Sequence, residues 1–373
     1  MNAVARTVLL SAGGTGGHLF PAEALAKALV GRGWVVHLAT DHRVESYGQD
    51  FPAAETHVIR SATPSVRSPV AMAKALWSLY GGYRQAKAML KRVRPAAAVG
   101  FGGYPTVPPL LAAAHLRIPT LVHDANAVLG RANRLLAPRV TVLATSFAEV
   151  GHTAGLRTRI VETGNPVRPA VIAASRIPYD PPQRGGSLRL LVFGGSQGAR
   201  FFSDVMPQAL ARLDAAERGR LSIVQQCRPE DIERVRAAYA ALGIVADLAP
   251  FFRDLPARIA TSQLVLSRSG ASTVSELSVI GRPGMLVPLP HAIDQDQSVN
   301  AAMLAKVGGG WIVPQASLTA DRLAGDLSGV LTDPTRLIAA AAAARSVGRP
   351  DAVERLADLV DEVAATSQKG MRS

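Results

Sequence analysis

Short apolar runs rich in β-branched residues alternate along this chain with stretches in which apolar residues recur every three or four positions. The short runs predict strands at Thr7–Ser11, Val35–Thr40, Ala97–Gly100, Thr120–His123 and Val140–Ala144. A second series follows at Arg189–Phe193, Ser222–Gln225, Ala246–Leu248, Leu264–Ser267, Gly284–Pro288 and Gly310–Val313. Strands separated by helical segments are βαβ units, which build parallel sheets. Between the two series, the stretch from Asn165-Pro166 to Pro178…Gly186 is rich in proline and glycine and poor in apolar residues, so the chain divides there. The expected organisation is a first domain over 1–164, a second over 165–340 and a helical tail over 341–373 that packs back toward the first.

One helical segment carries two distinct faces. Met72, Leu76, Leu79, Tyr83, Ala86, Leu90 and Val93 recur at steps of four and three, which makes a core-facing stripe. Gly81-Gly82 interrupts this pattern and is expected to split it into two helices. The second face carries Trp77 and Tyr80, followed by Arg84, Lys87, Lys91 and Arg94.

Composition narrows the class. The chain has 373 residues, 48% hydrophobic and 18% charged, as in a globular protein of two domains. No apolar run reaches the roughly 18 residues of a spanning helix, and the apolar start is too short for a secretory signal core. A single cysteine, Cys227, excludes an internal disulfide. These features favour the cytoplasm. Charge is unevenly placed: residues 1–160 hold 18 Lys/Arg against 7 Asp/Glu, which accounts for most of the net +13. No acidic residue occurs between Thr56 and His123, against nine basic ones. Such a half calls for an anionic partner, whether nucleic acid, anionic lipid or a phosphorylated substrate.

Glycine loops follow several strands: Gly13-Gly-Thr-Gly-Gly-His18, Gly100-Phe-Gly-Gly-Tyr104 and Gly194-Gly-Ser-Gln-Gly198. Glycine permits tight turns and exposes backbone N–H groups at a positive helix end, which suits phosphate. A loop of this kind in each half predicts two Rossmann-like domains facing a cleft at their strand carboxyl ends. A further anion site follows Leu264–Ser267, at Arg268-Ser-Gly-Ala-Ser-Thr-Val-Ser-Glu276. It reads equally as a capped helix start and as a diphosphate site whose Glu276 holds the ribose hydroxyls. Asp124-Ala-Asn126 and His18 supply polar groups for sugar hydroxyls and proton transfer. Asp294-Gln-Asp296 imitates a metal-binding pair, but hydrogen bonding to donor-sugar hydroxyls is the favoured role.

Together these segments resemble the MurG family, the UDP-N-acetylglucosamine:undecaprenyl-pyrophosphoryl-muramyl-pentapeptide N-acetylglucosaminyltransferases. The matching pieces are Gly13-Gly-Thr-Gly-Gly-His18 with Pro21, Gly102-Gly-Tyr104, Asn165-Pro-Val-Arg168, Gly194-Gly-Ser-Gln-Gly198, Ser267-Arg-Ser-Gly…Ser275-Glu276 and His291…Gln297. The resemblance implies a GT-B type, inverting glycosyltransferase without metal or bound cofactor. It would convert lipid I to lipid II, the disaccharide lipid of peptidoglycan synthesis, as a peripheral protein on the cytoplasmic face of the inner membrane. Its implied partners are UDP-N-acetylglucosamine, lipid I, an anionic membrane surface and other cell-wall synthesis proteins, with no nucleic acid.

By position, the donor contacts would be Thr15, Gly16, Gly17, Asn126, Arg168, Ser196, Phe252, Ala271, Ser272, Thr273, Val274, Ser275, Glu276 and Gln297. The acceptor pyrophosphate would meet Gly14, Gly102, Gly103 and Tyr104. The proton would pass to His18, with Asp124 as second choice, and Trp77, Tyr80, Arg84, Lys87 and Lys91 would face the membrane. Asp124-Ala125 stands where the family more often has a glutamate and a glutamine, and Phe252 where an isoleucine is common.

Two other classes compete. A nicotinamide-dependent oxidoreductase needs a complete G-x-G-x-x-G, whereas counting from Gly14 the last glycine position is Leu19. A nucleic-acid-binding protein is suggested by charge alone, without a recognised motif and with only 5% aromatic residues.

Overall fold

The computed structural model describes residues 6–13, 16–42, 51–63, 68–195, 200–290 and 295–370, with 367–370 through their backbone only. Two compact units are present, one of residues 1–168 with 350–373, the other of residues 169–349. The divisions thus fall at Arg168 and Arg349, where the sequence had suggested 164 and 340.

The first unit holds β1 (Thr7–Ser11), β2 (Val35–Thr40), β3 (Glu55–Val58), β4 (Ala97–Gly100), β5 (Thr120–Asp124), β6 (Val142–Thr145) and β7 (Arg159–Glu162). They pair in parallel in the order β3-β2-β1-β4-β5-β6-β7. Its helices are α1 (Gly16–Gly31), α2 (Pro69–Val93), α3 (Val107–His115) and α4 (Arg131–Leu136). The second unit contributes α5 (Pro169–Ala174), α6 (Arg200–Leu210), α7 (Ala215–Gly219), α8 (Ile232–Ala241), α9 (Leu255–Thr261), α10 (Ala271–Ile280), α11 (Asp296–Lys306), α12 (Ala320–Thr332) and α13 (Thr335–Ser346). Its strands are β8 (Leu188–Phe193), β9 (Leu221–Gln226), β10 (Ala246–Ala249), β11 (Leu264–Ser267), β12 (Gly284–Leu286) and β13 (Gly310–Ile312). They form a second parallel sheet ordered β10-β9-β8-β11-β12-β13. The last helix, α14 (Ala352–Gly370), returns to the first unit.

Central strands such as β1 and β8 are apolar on both faces because helices cover both, the expected state of a parallel sheet. In the first unit, Leu25, Leu29, Leu356 and Val360 of α1 and α14 pack with Val8 and Leu10, while Leu90, Leu110 and Leu136 of α2, α3 and α4 pack with Leu9 and Leu143. In the second, Phe202, Met206, Val235, Leu323 and Leu327 lie against Leu190 and Val192. Strands β3 and β7 were not read from sequence. Both are edge strands with exposed positions, and Glu55-Thr-His-Val and Arg159-Ile-Val-Glu lack a continuous apolar run.

Helix α14 is fastened as well as packed. Arg32 bonds Glu354, Asp358 at 2.7 Å and Asp361 at 3.0 Å, and the Trp34 indole N–H donates to Asp361 at 3.1 Å. Helix α14 thereby covers one face of the first sheet.

Helix α2 departs from expectation twice. It is one helix of 25 residues, started by Ser68, whose hydroxyl accepts from Ala71 N–H at 3.3 Å, and by Pro69. Gly81-Gly82 does not break it. A Cβ on Gly82 would stand 2.0 Å from the Arg60 carbonyl oxygen, so this glycine allows close approach of the segment after β3. The buried stripe is Ala75, Gly82, Ala86, Met89 and Leu90; of the expected stripe only Ala86 and Leu90 are buried. Leu76, expected in the core, is 55% exposed, beside Val70, Trp77 and Tyr80.

Candidate functional site

At the carboxyl end of the first sheet, β1 and β4 run into glycine turns tied to one another. Phe101 N–H donates to Ser11 O at 2.8 Å and Gly13 N–H to Gly102 O at 3.3 Å. Gly102 and Gly103 adopt φ of 98° and 77°, a region costly for other residues, and the Thr106 hydroxyl closes the turn on Gly102 O at 2.6 Å. His18, in the first turn of α1, packs its imidazole against this backbone. Added Cβ atoms at Gly13, Gly102 and Gly103 would lie 3.6, 3.1 and 3.4 Å from its ring atoms. The glycines therefore make the seat of His18 as well as bare N–H groups. Gly16 plays a similar part for Phe20, whose ring a Cβ would approach at 3.0 Å, and Arg168 lies over that ring at 5.1 Å. Gly17 has open space around it, and Tyr104 is half-buried at the start of a 3-10 turn.

Strand β5 ends in two buried ionisable residues. His123 donates its Nε2–H to Gly164 O at 3.0 Å, and burial pushes its pKa down to about 4 with His18 adding in the same direction. Asp124 is 2% exposed. Its carboxylate accepts Asn126 N–H at 3.0 Å, Gly130 N–H at 2.9 Å and the Asn133 side-chain amide at 2.9 Å. Burial raises its pKa while these bonds oppose the rise. Asp124 thus spans the β5–α4 loop and holds the start of α4. The half-buried Asn126 joins the same network. Asn133 was missed in the sequence. It is 3% exposed and also donates to His123 O at 3.2 Å, and only its polarity within an otherwise apolar helical face could have signalled it.

The second sheet presents a comparable edge. Strand β11 ends at buried Ser267, Arg268 and Ser269, and α10 starts two residues later with backbone N–H groups of Ala271, Ser272 and Thr273 at its amino end. Glu276 follows one turn on and is 7% exposed. Val274 is packed inside, while Ser275 turns its hydroxyl back to Ala271 O at 2.9 Å. Arg268 braces the site: its guanidinium donates to Val287 O, Pro288 O and Gln315 Oε1, at 3.1, 3.2 and 2.6 Å, and lies over Phe202 at 5.3 Å. Gln297 connects to this turn, since its backbone oxygen accepts from Ser269 and its side-chain oxygen from Leu289 N–H at 3.0 Å.

Phe252 is buried under the Arg258 guanidinium, 4.2 Å from the ring centre. Gln226, also missed, bridges Gly194 N–H and Pro250 O at 3.1 Å each and so couples the β8 turn to the segment leading to Phe252. Of the sites read from sequence, Gly14, Thr15, Ser196 and His291–Asp294 lie outside the described residues.

The arrangement matches known families. Residues 8–145 match the glycosyltransferase family 28 N-terminal domain and residues 189–356 its C-terminal domain. The protein from Methylobacterium nodulans named UDP-N-acetylglucosamine--N-acetylmuramyl-(pentapeptide) pyrophosphoryl-undecaprenol N-acetylglucosamine transferase is 59% identical over 96% of both chains. A Chelativorans protein of the same name is 57% identical over 96% of both. The crystal structure of Acinetobacter baumannii MurG superposes with a TM-score of 0.77 at 28% identity, covering 96% of this chain and all of that one. The chain is a glycosyltransferase and belongs to the MurG branch of family 28.

Proposed function

We propose that the chain transfers N-acetylglucosamine from UDP-N-acetylglucosamine to the 4-hydroxyl of the muramyl sugar of undecaprenyl-pyrophosphoryl-muramyl-pentapeptide, with inversion, yielding the lipid-linked disaccharide of peptidoglycan. The observation that carries this reading is the turn from β11 into α10, where helix N-terminal amides stand one turn from the buried carboxylate of Glu276. Amides at a helix start stabilise a diphosphate, and a buried carboxylate accepts two hydrogen bonds from a ribose diol. Gly194, Phe252 and Gln297 belong to the same donor site, with uracil against the backbone at Phe252.

In the reaction the acceptor oxygen attacks the anomeric carbon, the bond from that carbon to the diphosphate oxygen breaks, and UDP leaves with the electron pair. The proton released by the hydroxyl passes to His18. Its half-buried ring, seated among Gly13, Gly102 and Gly103, supports this role over Asp124, whose oxygens are engaged inside their own loop. Asp124 positions Asn126 and α4. Gly102, Gly103 and Tyr104 form the cradle for the acceptor pyrophosphate.

The acceptor is a lipid, so the protein works at the cytoplasmic face of the membrane as a peripheral protein. No helix among the described residues is long and apolar enough to cross a bilayer. The docking face is the exposed side of α2: Trp77 is 77% and Tyr80 54% exposed with ring centres 6.2 Å apart, and Arg84, Lys87 and Lys91 follow along the helix. Amphipathic aromatics beside cations suit an anionic headgroup layer.

The reading is tested by supplying labelled UDP-N-acetylglucosamine and the lipid acceptor and determining the linkage and anomeric configuration of the product. A β-1,4-linked disaccharide lipid is expected. Donor hydrolysis without transfer, or a retained configuration, refutes it.

A further inference from the structure

We propose that His37, Glu55 and His57 bind a divalent transition-metal ion of the zinc class at the outer edge of the first sheet, away from the groups assigned to sugar transfer. His37 lies on β2, directly opposite Glu55 of β3 in the parallel register, and His57 is two residues beyond Glu55. Side chains two apart on a strand share a face, so the register alone gathers the three on one side of the sheet.

Their donor atoms converge. His37 Nδ1 is 3.0 Å from His57 Nε2 and 3.8 Å from a Glu55 oxygen, and His57 Nδ1 is 3.4 Å from the other. One donor atom from each lies within 4.8 Å of the other two. Ligands about 2.1 Å from a tetrahedral ion are separated by about 3.4 Å; His57 would ligate through Nε2, which faces His37, and the half-exposed Glu55 would turn from Nδ1 toward that pair to complete the set. Two imidazoles and a carboxylate form a borderline donor set, matched to zinc and its neighbours rather than to calcium or magnesium.

The surroundings fit a bound ion. The two imidazole planes are nearly parallel, and one ring must donate to the other; an ion in place of that proton uses both lone pairs. Arg92 Nη2 stands 3.0 Å from Glu55 Oε1 and fixes the carboxylate, as outer-shell partners do. Its positive charge opposes the ion, and the charge of Glu55 offsets this. A groove of about 360 Å³, lined by His57 with Gln85, Met89 and Arg92, opens beside His57.

Among the described residues, strand β3 has β2 as its sole sheet neighbour, and an ion held from both would staple the edge. An ion that binds only the folded chain raises its stability.

The test uses untagged full-length protein titrated with cobalt(II), read by its visible ligand-field absorption, and with zinc against a chromophoric chelator. One saturable equivalent is expected, together with a zinc-dependent rise in melting temperature. The double substitution His37→Gln, His57→Gln should abolish both, and Glu55→Gln should weaken zinc at least ~10-fold. If the double variant does not unfold cooperatively, the Glu55→Gln comparison decides alone, because that side chain is half exposed. Absence of saturable uptake by the wild type, or equal zinc affinity in the Glu55→Gln variant, overturns the proposal.

Discussion

The imidazole of His18 and the α-carbon of Gly102 are in such close apposition that a methyl group on Gly102 would fall 3.1 Å from Cε1 and 3.2 Å from Nδ1 of the ring. Gly102 also has φ of 98°. Gly102→Ala therefore displaces the proposed base while leaving it in the chain. Turnover with saturating acceptor should fall by about the same ~10²–10⁴ as in His18→Ala, the usual contribution of a general base. If His18→Ala retains more than a tenth of wild-type turnover, His18 is not the base.

Asp124 is expected to matter for stability before it matters for protons. In Asp124→Asn one of the backbone or amide donors now facing the carboxylate would meet an NH₂ group, at a cost of about 1–3 kcal/mol. Chemical denaturation should register that loss. The pH–rate profile should keep the shape of the wild type, and disappearance of the rise on its acidic limb would instead make Asp124 the base.

His123 makes stability sensitive to acid. Its folded pKa of about 4 lies below the ordinary 6.5, so the unfolded chain takes up a proton first as pH falls. The stability due to neutral His123 is whole above about 6.5 and is lost progressively down to about 4, roughly 3 kcal/mol in all. Asp124, raised by burial, acts in the opposite sense, so the comparison is made against His123→Gln. Between about pH 7 and pH 5 the wild type should lose about 2 kcal/mol more than this variant in urea titrations. Equal losses would place the acid sensitivity elsewhere.

Glu276→Ala should weaken UDP by about 1–3 kcal/mol, the cost of leaving ribose hydroxyls unpaired in a buried site. Calorimetric titration measures this directly, and unchanged affinity would remove Glu276 from the donor site.

The triple change Arg84→Glu, Lys87→Glu, Lys91→Glu should release most of the protein from phosphatidylglycerol vesicles in co-sedimentation, since each basic residue near the surface contributes ~1 kcal/mol of attraction. UDP affinity should persist, because Glu276 and α10 belong to the other unit. Undiminished vesicle binding would eliminate this face of α2.

The two parallel sheets were legible because strands covered by helices on both sides are apolar without interruption, as in Val8-Leu9-Leu10 and Leu190-Leu191-Val192. The glycine turns were legible because positive φ at Gly102 and Gly103 demands glycine at those points. The site family was legible through segments whose residue types are dictated by backbone shape and phosphate chemistry. What required the folded chain were relations between distant residues. A period-based reading of α2 weights Leu76 by its hydrophobicity, but burial depends on what packs alongside: Ala75 is buried and Gly82 meets the Arg60 backbone, while Leu76 is exposed. Edge strand β3 is not legible because its buried position is the polar His57 while its apolar Val58 is exposed, and the His37–Glu55–His57 cluster depends on a register between strands that no local pattern encodes. The engagement of Asp124 by Gly130 and Asn133 likewise came only from the path of the β5–α4 loop. Local sequence determines which backbone shapes and buried surfaces are possible, because sterics and hydrophobicity act residue by residue. Which polar side chains meet was decided by tertiary packing, because hydrogen bonds and ligand sets form only where distant segments converge within a few ångströms.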